Sequence, residues 1–190
     1  MVKQKMTETS CKTTMVNQVV WTLQKDTQNL KTRPHRMFLD MILAYQVYDP
    51  VRRAFHPISQ KDCEKENLTE SDLFAYAKEN TFRLLPSVIR TQNCGKGVRF
   101  TIITNRQTYY GATAMLDETV RTELQKTYPD GFFILPSSVH EFFAVPKDTD
   151  PLRLKAFVMG ANRNDEIVLE DEVLSDSVYE VEADGSFHIW

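Results

Sequence analysis

Two periods of apolar spacing run along this chain, and they divide it into segments of different kinds. Residues 132–135 and 142–145 are continuous apolar runs, Phe-Phe-Ile-Leu and Phe-Phe-Ala-Val, with a short polar stretch between them. A short apolar run bounded by turn residues reads as a strand buried on both faces, because side chains pointing either way meet core. Pro136 fixes its own φ and has no amide to donate, so the first strand is expected to end near Leu135. Pro146 closes the second in the same way. The two form a β-hairpin, with His140 and Glu141 entering its second strand.

Helical spacing marks other segments. Thr69 is a good N-cap with Asp72 at the third helical position, and Leu73, Phe74, Tyr76 and Ala77 supply an apolar side. This helix is expected to reach Leu84, before Pro86. Residues 111–128 read as a second helix, with Ala112, Met115, Leu116, Val120 and Leu124 on one side. A third is expected over residues 150–160, opened by Pro151 and ended at Gly160. Val16, Val19, Val20 and Leu23 predict a short amphipathic helix within residues 14–30.

Residues 37–48 are rich in β-branched and aromatic side chains towards their end and read as a strand, with a helix as the alternative. Residues 98–104 read as a strand following a turn at Gly95 and Gly97. Residues 177–182 and 187–190 form a C-terminal hairpin around Asp184-Gly185. Residues 52–68 read as a long polar connector, a candidate mobile or partner-binding loop. The pattern is that of an α+β fold: a mixed or antiparallel sheet covered by about three helices. Residues 1–33 are expected to be an N-terminal appendage carrying the short helix, and residues 34–190 a single domain.

Composition narrows the setting. At 190 residues the chain is long enough to build a core without disulfides or metals. A net charge of −3 argues against a strongly basic nucleic-acid binder, and no helix-turn-helix or zinc-finger spacing is present. Basic residues crowd the first third and acidic ones the C-terminal part, which suggests partner surfaces or simply two solvated faces. The three cysteines stand far apart with no C-x-x-C pair, as in a reducing compartment, so a cytoplasmic location is expected. No apolar run approaches the length of a membrane span.

The candidate chemistry is sparse. Phosphate-loop and dinucleotide glycine patterns are absent, and the four histidines show no metal-ligand spacing, so no metal and no cofactor is expected. If the second strand already runs from Ser138, Ser138 and His140 share a face, about 6.6 Å apart at Cα, while Glu141 points the other way. A triad made from these neighbours alone is therefore not expected. His140 as general acid or base, with Arg106 holding an anionic group, is the enzyme reading. It needs Glu141, Asp40 or Asp176 brought round to orient the ring. The plainer reading is that His140 and Glu141 satisfy backbone groups where the chain turns into the core. Asp40, interrupting an apolar run, must be paired or solvated, with Arg36 or His35 as candidate partners.

Several strings taken together resemble an uncharacterised bacterial family known only as a domain of unknown function. They are residues 34–40, Pro-His-Arg-Met-Phe-Leu-Asp; residues 77–81 with Pro86; Thr104-Asn105-Arg106 with Gly111-Ala112; Leu-Pro-Ser-Ser-x-His-Glu at 135–141; and Glu-Val-Leu-Ser-Asp-Ser-Val-Tyr at 172–179, of which Leu-Ser-Asp-Ser-Val-Tyr is the distinctive part. The resemblance covers residues 34–179, and the family's usual further N-terminal region is without a counterpart. It carries no catalytic assignment. It draws attention to Asp40, Asn105, Arg106, Ser138, His140, Glu141, Ser175 and Asp176. The expected role is a non-catalytic binding or interaction module, with a protein partner possible, and a hydrolase using His140 is the alternative.

Overall fold

A computed structural model of the chain describes residues 15–93 and 99–190. Its architecture is α+β, built on two antiparallel sheets whose apolar faces share one core. The first sheet holds β1 (Val19–Lys25), β2 (His35–Phe38), β3 (Met41–Asp49) and β4 (Ala54–Pro57). β3 is its axis. β1 lies along one edge of β3, from Val19 opposite Val47 to Lys25 opposite Met41. The other edge is shared end to end by β2 and β4.

β1 corrects the helix expected within residues 14–30. Val19, Val20, Trp21, Thr22 and Leu23 are all buried. A helix with one apolar face cannot bury five consecutive side chains, whereas a strand packed on both faces can. The β-branched residues in the run also favour the extended form. Because β1 pairs with β3 along its length, the boundary expected at residue 33 separates an edge strand from the rest of its sheet. Only a four-residue turn, α1 (Gln28–Lys31), is helical between β1 and β2.

The connector expected over residues 52–68 is likewise structured. It contains β4 and a helix, α2 (Gln60–Glu66), anchored by buried Ile58 and Cys63. Ser59 and Asp62 form a reciprocal cap that the charged run around them hides in the sequence. Thr69 and Asp72 repeat the device at the start of α3 (Glu70–Leu84), where the Thr69 amide donates to the Asp72 carboxylate at 2.8 Å.

The second sheet has the order β10-β9-β7-β8-β6-β5. Its strands are β5 (Ser87–Asn93), β6 (Arg99–Asn105), β7 (Phe132–Ser138), β8 (Glu141–Pro146), β9 (Tyr179–Val181) and β10 (Phe187–Ile189). The central and C-terminal hairpins form where the apolar runs place them. β7 continues past Pro136, with a register shift between Leu135 and Ser138 that spares the proline a ladder bond. β5 has no counterpart in the expected elements, and the Gly95–Gly97 turn lies outside the described residues.

The helix expected over residues 111–128 is split. Residues Gly111–Leu116 form a 3-10 segment with its first five residues buried. α4 (Glu118–Thr127) follows, capped by Asp117, which accepts from the Thr119 amide at 2.9 Å. α5 (Pro151–Ala161) has Asp150 as its cap, and its Leu154 and Val158 pack with Phe133, Leu135 and Val178 against the second sheet. Among the described residues no helix is long and apolar enough to cross a membrane.

Two threonines tie the layers together. The amides of Trp21 and Leu23 point off the open edge of β1. They donate to the hydroxyls of Thr81, on α3, at 2.9 Å and Thr113, in the 3-10 segment, at 3.1 Å. Side-chain oxygens thus finish a strand edge that would otherwise leave buried donors unpaired.

Candidate functional site

The loop after β6 shapes the site. Asn105 is buried, and its Nδ2 donates to the Tyr109 carbonyl at 3.0 Å while its Oδ1 accepts from the Gln107 amide at 3.0 Å. Between these bonds the backbone twists so that Thr108 (φ 54°) and Tyr110 (φ 52°) lie in the left-handed region. That conformation is costly for a β-branched residue and persists only where the surroundings impose it. Gly111 follows because nothing larger fits. A Cβ there would stand 2.2 Å from Thr104 Oγ1 and 2.4 Å from the His140 carbonyl oxygen. Thr104 Oγ1 itself donates to that carbonyl at 2.8 Å.

The loop therefore presses Tyr109 and Tyr110 against the tip of the β7–β8 hairpin. The Tyr109 ring lies 4.6 Å from the His140 ring, centroid to centroid, and 4.8 Å from Tyr110 at 78°. Phe55 of β4 backs both tyrosines, at 5.7 and 5.0 Å. Burial, first of all, pushes the Tyr110 phenol up from its ordinary value; a hydrogen bond with Gln46 opposes this, and Tyr109 and the Asp171 charge add to the rise.

His140 is held at both nitrogens. The Tyr110 amide donates to Nδ1 at 3.2 Å, and Nε2 lies 3.0 Å from Glu172 Oε1. Nδ1 is thereby an acceptor, which puts the proton of the neutral ring on Nε2, donated to Glu172. The backbone repeats the attachment: the Val139 amide donates to the Glu172 carbonyl at 2.9 Å.

A cavity of about 330 Å³ opens beside this pair. The end of β1 contributes Gln24 and Lys25, the loop Tyr109 and Tyr110, the hairpin tip His140, and a 3-10 turn (Glu170–Glu172) Asp171 and Glu172. The residue that orients His140 is thus Glu172, which sequence reasoning missed, and not Glu141, Asp40 or Asp176. Its signal was its place as the first residue of the 172–179 string, where the serines and Asp176 stand out more. Tyr109 and Tyr110 were missed too, although an aromatic pair directly before Gly-Ala was visible.

The other candidates are distributed differently. Ser138 is buried and its hydroxyl accepts from the His140 amide at 3.1 Å, which makes it a turn cap. Arg106 is exposed and does not line the cavity, nor does Asp176, whose carboxylate accepts from Asn162 at 2.8 Å. Glu141 is half-buried, opposite Ser138 in the hairpin. Asp40 and Ser175 do come together, at a second place. Asp40 accepts from the hydroxyls of Ser175 and Ser177, both at 2.8 Å, and from Tyr179. Burial works to raise the Asp40 carboxyl, but the three hydroxyls outweigh it and hold it below its ordinary value. Arg36 makes no bond to Asp40. It grips Glu70 at 2.7 and 3.0 Å and lies over the Phe74 ring, while His35 turns to the Arg33 carbonyl. Among the described residues no group of three or more His, Cys, Asp or Glu side chains is placed to hold a metal ion.

These positions can be set beside known proteins. Residues 91–182 match a family of unknown function, DUF5688. The DUF5688 match takes in Tyr109, Tyr110, His140, Asp171 and Glu172, and with them both distinctive serine strings. It leaves out the β1 side of the cavity and the 34–40 string that carries Asp40. No curated protein and no solved structure matches the chain.

Proposed function

We propose that the protein is a non-catalytic binding module whose ligand site is the cavity beside His140. One observation carries this reading: both ring nitrogens of His140 are engaged by its own fold, Nδ1 by the Tyr110 amide and Nε2 by Glu172. A general base needs a free lone pair within reach of the proton it removes, and a nucleophile beside it. Here the lone pair is taken, and the nearby Ser138 hydroxyl is occupied by a backbone amide. Arg106, the anion clamp of a hydrolase reading, lies outside the cavity. What the site does offer is a concave surface with aromatic walls and a few fixed polar groups, the usual make-up of a ligand pocket.

A cytoplasmic setting, a bacterial source and a protein partner on the acidic face of residues 165–176 belong to the same proposal. They are supported by the dispersed cysteines, by the resemblance of the serine strings and by the charge pattern respectively.

The test is a fragment titration of the full chain followed by amide NMR, with a panel of ester and amide substrates run in parallel. Shifts gathered at residues 109–111, 139–140 and 171–172, with no turnover above background, are expected. Hydrolysis that disappears in His140→Ala would overturn the reading, and so would fragment shifts that avoid these residues.

A further inference from the structure

The cavity carries unpaired charges of both signs. Lys25 stands at the end of β1 and Asp171 in the 3-10 turn, and both line the same space. Neither side chain makes a hydrogen bond or ion pair among the described residues, although each has an opposite charge within the same cavity. Glu172 uses Oε1 on His140, and its Oε2 makes no hydrogen bond among the described residues. Both side chains are exposed, where closing on each other would gain little, and both have fixed backbone anchors. Here the anchors are a paired strand end and a turn fastened to the hairpin by the Val139 amide. The two charges are not paired with each other, and Tyr109 and Tyr110 line the space they share.

Resting on the binding reading above, we infer that the ligand is a small zwitterion of the amino-acid type. Its ammonium group faces Asp171 and Glu172, its carboxylate faces Lys25, and its stem packs on the two tyrosine rings. An ammonium near a tyrosine face gains from the ring quadrupole as well as from the carboxylates. A ligand of one charge alone would satisfy one wall and meet the like charge on the other.

The experiment is calorimetric titration of the full chain with glycine, L-serine, L-leucine and L-phenylalanine, the best binder then being compared with its analogues lacking the amino or the carboxylate group. At least tenfold weaker binding of both analogues is expected. Lys25→Met should weaken the amino acid about tenfold without weakening the amine analogue. Asp171→Asn should weaken the amino acid and the amine and spare the carboxylate. Equal binding of amino acid and analogues, or no binding by any of the four, overturns the zwitterion. If fragments nevertheless shift residues around His140, the binding reading stands without it; if they do not, both fall.

Discussion

Ser175 donates its hydroxyl proton to Asp40 across 2.8 Å, joining residues 135 positions apart in the chain. The contact fastens the β2–β3 turn of the first sheet to the segment that leads into β9 of the second. Ser177 and Tyr179 complete it, so the alternate residues of the Leu-Ser-Asp-Ser-Val-Tyr string all serve one carboxylate.

Stability should accordingly depend on acid through this contact. The Asp40 carboxyl is held below its ordinary value of 3.8, so the folded state binds a proton less readily than the unfolded one. The stabilisation is fully present above that ordinary value and is lost as pH falls through the lower folded value. Asp40→Ala should reduce stability by about 2 kcal/mol at neutral pH, chiefly by leaving the buried Ser175 and Tyr179 hydroxyls without their acceptor. Asp40→Asn should lose less and should flatten the acid limb. Urea melts between pH 2.5 and 7 would show this, and an unchanged acid limb in Asp40→Asn would count against it.

The open edge of β1 gives a second expectation. Thr81→Val and Thr113→Val keep shape but leave the amides of Trp21 and Leu23 without an acceptor. Each should cost about 1–3 kcal/mol. Hydrogen exchange should quicken at Trp21 in the first variant and at Leu23 in the second, with little crossover. Uniform acceleration along β1 in both would mean that the hydroxyls do not act one by one.

Gly111→Ala tests the close packing under the site. The added methyl meets the Thr104 hydroxyl, the His140 carbonyl and the Asn105 amide, two of them backbone atoms that cannot swing aside. A loss of about 3 kcal/mol is expected from such overpacking. A variant as stable as the parent, measured by thermal or urea unfolding, would refute the packing described.

His140 should act as a bracket more than as an acid or base. His140→Ala removes the acceptor of the Tyr110 amide and the ring beside Tyr109. Exchange of the Tyr110 amide should rise by at least tenfold, while the amides of β1 stay protected. Glu172→Gln keeps a side-chain acceptor for Nε2–H and should leave that exchange rate within a few fold of the parent.

Much of this fold could be read from local pattern. The central hairpin was legible because Pro136 and Pro146 bracket its apolar runs, and α3 because Thr69 and Asp72 announce its start. β1 was not, since Val16, Val19, Val20 and Leu23 satisfy a helical period while their neighbours fill the gaps that a strand needs. His140 was visible as a polar residue at the tip of a greasy hairpin. Glu172 was hidden in an acidic run 32 residues further on, where no period distinguishes it and only the Val139–Glu172 backbone bond brings it home. Asp40 and Ser175 both stand out in the sequence, yet nothing local says that they meet.

The segment matched by the family model and the unit that folds are different objects. Residues 91–182 begin inside β5 and stop before β10, and they omit every strand of the first sheet. Cut out by itself, that stretch would present Thr113 with no Leu23 amide, Ser175 with no Asp40, and the inner faces of Ile103, Phe142 and Tyr179 to water. In this chain the strands of the first sheet are the layer that roofs that stretch over.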